Sequence, residues 1–193
     1  MLEQYIRPQY QYYFVDHVIE KIQHRIKPIQ VTLLSGIFGI MVPVALYYQQ
    51  RGLAIILLLI SGYLDTVDGS IARNRNLISD QGSLLDIFTD RVVESAVIIG
   101  LFLYAPYERS FLCLFMLCSV MLCVTSFLTV GIFTENKSHK SFHYSPGLIE
   151  RPEAFIFFIL MMIFTDYFTM LSILFILLVL CTTFIRIYEF LRA

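Results

Sequence analysis

Four aspartates occur as two close pairs, Asp65 with Asp68 and Asp86 with Asp90. Spacings of three and four residues put both members of a pair on one face of a helix. Each pair lies at or within the end of an apolar run, where a charged side chain costs about 2.5–3.5 kcal/mol at the bilayer centre and less toward an interface. Four such groups need a counter-charge. If their two helices are antiparallel and joined by a short loop, the acidic faces meet, and the resulting cluster of carboxylate oxygens suits hard divalent cations such as Mg²⁺ or Mn²⁺. Gly69 follows Asp68 directly and Gly82 stands one turn before Asp86. Each costs about 1 kcal/mol inside a helix relative to alanine, so bare backbone at these points admits a bulky ligand or a close partner helix. Packing by small residues accounts for either glycine taken alone.

The elements that must position these groups are apolar. Of 193 residues 58% are hydrophobic and 15% charged, with a mean hydropathy of +0.72, more apolar surface than one soluble core of this size hides. Scanning for the roughly 20 residues of a bilayer-crossing helix finds six runs, at about 29–48, 53–73, 83–105, 110–133, 153–168 and 169–187. The expected class is an all-α integral membrane fold of six transmembrane helices, with residues 28–193 as one membrane domain. Residues 1–27 form a separate N-terminal segment. There Phe14, Val15, Val18, Ile19, Ile22 and Ile26 recur at helical spacing opposite Asp16, Glu20 and Lys21. That stripe fits an amphipathic helix lying in the membrane interface, or a small helix packed on the loops.

Charge sets the orientation. With the N-terminus in the cytoplasm, eleven of the fourteen Lys and Arg fall inside, Arg51 and Arg109 outside, and Arg91 within a span. Both termini and the acidic cluster are then cytoplasmic. A net charge of −1 supplies no basic field for nucleic acid. Cys113, Cys118, Cys123 and Cys181 lie in apolar stretches without metal-site spacing, and read as packing residues.

The order D-x-x-D-G-x-x-A-R-x8-G-x3-D-x3-D is met at every fixed position by Asp65, Asp68, Gly69, Ala72, Arg73, Gly82, Asp86 and Asp90. It resembles the signature of the CDP-alcohol phosphatidyltransferases, in particular the phosphatidylinositol phosphate and phosphatidylglycerophosphate synthases. The resemblance implies that Asp65, Asp68, Asp86 and Asp90 hold two divalent ions, Mg²⁺ or Mn²⁺, on the diphosphate of CDP-diacylglycerol or a similar CDP-lipid. It implies that Asp90 is also the general base, and that Asp68, Gly69, Ala72, Arg73 and Gly82 bind the CDP-lipid. A homodimer in a cell membrane, the inner or plasma membrane in a bacterium, is the corresponding expectation. One departure stands out. Many members open the first span with Pro-Asn-x-x-Thr, whereas Pro28-Ile29-Gln30-Val31-Thr32 lacks the Asn.

The acceptor would be a small polyol or its phosphate: inositol phosphate, inositol or glycerol 3-phosphate. Gly147-Leu148-Ile149-Glu150-Arg151 looks like a G-x-x-E-R segment of those synthases, so Arg151 is either an acceptor-phosphate ligand or an ordinary positive flank of a span. Lys137, His139, Lys140 and His143 extend an anionic-substrate surface or simply face lipid headgroups. Arg91 and Glu94, close to Asp90, either pair with each other or brace the aspartates from outside the ligand set. A membrane transporter with an acidic cation site is the rival reading, but it does not require glycines and Ala-Arg at these offsets.

Overall fold

The computed structural model describes residues 26–133, 149 and 151–192, and every regular element among them is helical. The expected interfacial helix and the Lys137–His143 surface rest on residues outside those described. Six helices occupy the six apolar positions: α1 (Pro28–Tyr47), α2 (Arg51–Asn74), α3 (Asp80–Tyr104), α4 (Pro106–Phe133), α5 (Arg151–Ile163) and α6 (Phe168–Arg192). Among the described residues, four stretches are long and apolar enough to cross a membrane: α1, α2, α4, and α6 together with the 3₁₀ turn Thr165–Tyr167 before it. α3 has the length, but Asp86, Asp90, Arg91 and Glu94 interrupt its apolar stretch. The fifth position differs from expectation. Its helix has 13 residues, about 20 Å at 1.5 Å per residue, and the 3₁₀ turn follows where a continuous span was expected.

Two compact units emerge, one of α1–α3 and one of α4–α6. In the first, α1 is the shared scaffold: the close backbone packing joins α1 to α2 and α1 to α3, and α2 and α3 make far less with each other. Composition explains why α1 lies between them. Its buried face carries Ser35, Gly36 and Gly39, whereas Leu33, Ile37, Ile40 and Val44 point outward. A soluble helix buries its large side chains. Here Val31, Val42 and Leu46 are buried beside the small residues while many large side chains face outward, as expected in lipid, where close van der Waals packing and interhelical hydrogen bonds join helices. Ser35 supplies such a bond, its Oγ donating to the Ser61 carbonyl of α2 at 2.8 Å.

The turns are set by local chemistry. Pro28 opens α1 at a position whose N–H needs no partner, and the Gln30 side chain accepts from the Lys27 N–H at 3.0 Å. α2 ends on Asn76 at φ 51°; the Leu77 and Asn76 N–H groups reach back to the carbonyls of Ala72 and Arg73, a Schellman closure with Asn in the left-handed position. α1 closes in the same way on Gln49, at φ 61°, with Gln50 bonded to Ala45 and Gln49 to Leu46. Gln49 then spends its side chain across the unit, donating to the Tyr104 carbonyl at the end of α3 at 2.9 Å. In the second unit, Phe158, Met161 and Met162 of α5 are buried, and Phe158 meets Phe175 of α6 with ring centroids 5.5 Å apart.

Candidate metal centre

One carboxylate oxygen from each of Asp65, Asp68 and Asp86 lies within 4.8 Å of the others. Asp65 and Asp68 come from the last turns of α2 and Asp86 from the second turn of α3. Their approach does not come from α2 packing along α3. Both helices are fixed to α1, and the Schellman turn and the short loop after it return the chain. The carboxylates therefore converge where α2 and α3 are not closely packed on each other. Three hard anionic donors at this separation fit a divalent ion such as Mg²⁺ or Mn²⁺.

Asp68 is the buried member, 4% exposed, while Asp65 and Asp86 are half-buried. The hydroxyl of Thr32, itself buried on α1, donates to its Oδ2. In the sequence, Thr32 and Pro28 are the two positions kept in a first-span motif that lacks its Asn, and the 36-residue separation of Thr32 from Asp68 hides the contact. Asp90, one turn beyond Asp86, lies outside the 4.8 Å group. The adjacent Arg91 places one guanidinium nitrogen 3.9 Å from the Asp90 carboxylate and another 2.8 Å from Glu94. Glu94 is buried, so the expected Arg91–Glu94 pair forms inside the helix bundle, where an unpaired carboxylate would be costly.

Gly69 and Arg73 share one surface of α2. A Cβ at Gly69 would stand 3.3 Å from a guanidinium nitrogen of Arg73, whose other terminal nitrogen donates to Ser70 Oγ at 3.0 Å. Bare backbone at 69 thus leaves the volume over which Arg73 folds, and Ala72 is half-buried beside it. Gly82 has a local role as well: its N–H donates to Ser79 Oγ at 3.1 Å, which makes Ser79 the cap of α3. A Cβ there would press on the same oxygen at 3.2 Å.

Residues 25–185 match the family model for CDP-alcohol phosphatidyltransferase. The chain belongs to that family. It is 30% identical over 171 residues to the inner membrane protein YnjF of Escherichia coli, covering 85% of this chain and 82% of that one. It is also 30% identical over 76 residues to an archaetidylinositol phosphate synthase of Pyrococcus horikoshii, 39% of this chain and 40% of the other. The fold matches the crystal structure of Mycobacterium tuberculosis phosphatidylinositol phosphate synthase with CDP-DAG bound, at a TM-score of 0.67 and 20% identity over 91% and 89% of the two chains. With its long apolar helices and its kinship to an inner membrane protein, this phosphatidyltransferase-family chain is an integral membrane protein.

The remaining candidate, Arg151, sits in the second unit at the start of α5, with its guanidinium 5.2 Å from the centroid of the Phe155 ring. Pro152 follows in the first turn, as its lack of an N–H favours. Just before Arg151, the Ile149 N–H donates to Thr182 Oγ1 of α6 at 3.2 Å. One turn along α6 stands Arg186, 8% exposed. It donates to the Cys123 carbonyl and Ser126 Oγ of α4, both at 3.1 Å. Charge counting had placed Arg186 among the cytoplasmic flanks; the structure puts it between two helices. Arg109 is likewise buried, 4.1 Å from the centroid of the Phe168 ring.

Proposed function

We propose that this protein is a metal-dependent transferase that moves a phosphatidyl group from CDP-diacylglycerol, or a similar CDP-activated lipid, to a small alcohol in phospholipid biosynthesis. The observation that carries this reading is the convergence of Asp65, Asp68 and Asp86 within 4.8 Å, from a motif met at every fixed position. In the reaction, an alcohol oxygen attacks the phosphorus bearing the lipid, a new P–O bond forms, and the bond to the CMP phosphate oxygen breaks. Divalent ions held by Asp65, Asp68, Asp86 and Asp90 would neutralise charge developing on the departing CMP phosphate. Asp90 takes the alcohol proton, a role in keeping with its place one turn from Asp86 and outside the tight trio. Gly69, Ala72, Arg73 and Gly82 bind the CDP-lipid, and Arg73 offers its guanidinium to the phosphates.

The acceptor is a polyol or its phosphate, with inositol phosphate, inositol and glycerol 3-phosphate the leading choices. Arg151 supports a phosphorylated one, and the bond from Ile149 to Thr182 brings its segment onto the helix that carries Arg186. We further propose six membrane crossings with both termini and the site on the cytoplasmic side, and a homodimer. The orientation rests on the Lys and Arg distribution; Tyr47, Tyr48 and Tyr104 in one unit, and Tyr107 and Tyr167 in the other, stand at helix ends, where the aromatic belts of either interface gather.

The test is CMP release by the purified protein from CDP-diacylglycerol, with Mg²⁺ or Mn²⁺ and a panel of alcohols. Release that depends on one acceptor names the product. No release with any acceptor, together with cation flux in vesicles, would replace this reading by the transporter.

A further inference from the structure

We infer that Thr32 is a positioning residue for the metal centre: its hydroxyl on α1 fixes the orientation of the Asp68 carboxylate on α2. The inference rests on the metal-site reading above. Three observations carry it. Thr32 and Asp68 are both buried, 5% and 4% exposed, so water does not compete for the bond. The hydroxyl donates to Oδ2 of Asp68. Its other neighbour, the Pro28 carbonyl, is 3.2 Å away.

One hydroxyl proton serves one strong acceptor, and a carboxylate outcompetes a carbonyl because the bond is charge-assisted. A carboxylate has two oxygens, so one can be held by a hydroxyl while the group still ligates. Residues that hold a ligating carboxylate in this way typically contribute 10–100-fold in metal affinity or activity. Helix geometry adds a second reason. Asp68 sits on α2, and α2 is fixed to α1 rather than to α3, so a bond from α1 ties the ligand to the element that locates both acidic helices. Thr32, kept with Pro28 in a first-span motif that lacks its Asn, thus acts on the metal ligand.

Mn²⁺ binding to the purified protein, followed by the loss of free-ion paramagnetic resonance signal, tests this without turnover. Thr32→Val, close to isosteric, should weaken Mn²⁺ about 10–100-fold, and Thr32→Ser should stay within about threefold of the parent. If Thr32→Val does not fold, Thr32→Ala against Thr32→Ser carries the same contrast. Unchanged binding in the hydroxyl-free variants overturns the inference. Equal loss in the serine variant also overturns it, since packing by the methyl group would then be the cause. Asp86→Asn separates this from failure of the metal reading: if it too binds Mn²⁺ as the parent does, the site itself is wrong, whereas its loss beside intact Thr32→Val binding sinks only the role of Thr32.

Discussion

A Cβ built on Gly39 of α1 would come within 3.0 Å of three side-chain carbons of Val93 on α3. One turn earlier, a Cβ on Gly36 would stand 2.9 Å from Cγ2 of Thr89. These two glycines therefore set how closely α3 can approach α1, and Thr89 and Val93 flank Asp90. Gly100 repeats the device toward the other end, where its missing side chain admits the backbone of Pro43 at 2.9 Å. Gly39→Ala gains about 1 kcal/mol of helix propensity but overpacks the contact at about 1–3 kcal/mol. We expect a lower melting temperature in detergent, partly recovered in the Gly39→Ala, Val93→Ala double variant. A melting temperature at or above the parent's would show that the contact has slack.

Asp86→Asn removes one of three clustered negative charges without changing shape. CMP release should fall at least about 10²-fold, since a metal's electrostatic contribution of several kcal/mol spans two or more factors of ten. Membrane insertion should be unaffected, because a neutral amide is easier to place in a span than a carboxylate. Chelation of the parent should reproduce the loss, and added Mg²⁺ or Mn²⁺ should reverse it. Activity of the variant close to the parent's would remove Asp86 from the site.

Gly69→Leu fills the space over which the Arg73 guanidinium folds. Binding of CDP-diacylglycerol, measured directly on the purified protein, should be lost while the melting temperature changes little, since residue 69 is only half-buried. Gly69→Ala should fall between the two, its single carbon meeting the guanidinium at 3.3 Å. Retained affinity in the leucine variant would move the nucleotide site elsewhere.

Arg151→Ala reads out the acceptor. A guanidinium on an acceptor phosphate is a charge-assisted contact, so its loss should raise the acceptor KM or lower kcat and leave the affinity for CDP-lipid nearly unchanged. If Arg151 serves only as a topological flank, acceptor kinetics stay at the parent's values, and a neutral acceptor such as inositol is favoured. Loss of CDP-lipid binding would assign Arg151 to the other substrate.

The family and the acidic cluster were legible in one dimension because the motif rests on local spacing. Three and four residues along a helix decide that Asp65 and Asp68 share a face, and likewise Asp86 and Asp90, and apolar length decides where the helices run. The Arg91–Glu94 pair is local in the same sense. What spacing does not contain is the partner of each face. The acidic faces of α2 and α3 do meet at Asp65, Asp68 and Asp86, but both helices are set on α1 through Gly36, Gly39 and Ser35, residues that look ordinary until a neighbour is found against them. The bond from Thr32 to Asp68 spans 36 residues of chain, and Arg186 changes from a flank to an interhelical donor only once α4 lies beside α6. In lipid, apolar burial discriminates weakly among helix partners, so the choice falls to close contacts and a few hydrogen bonds that exist only after the helices have met.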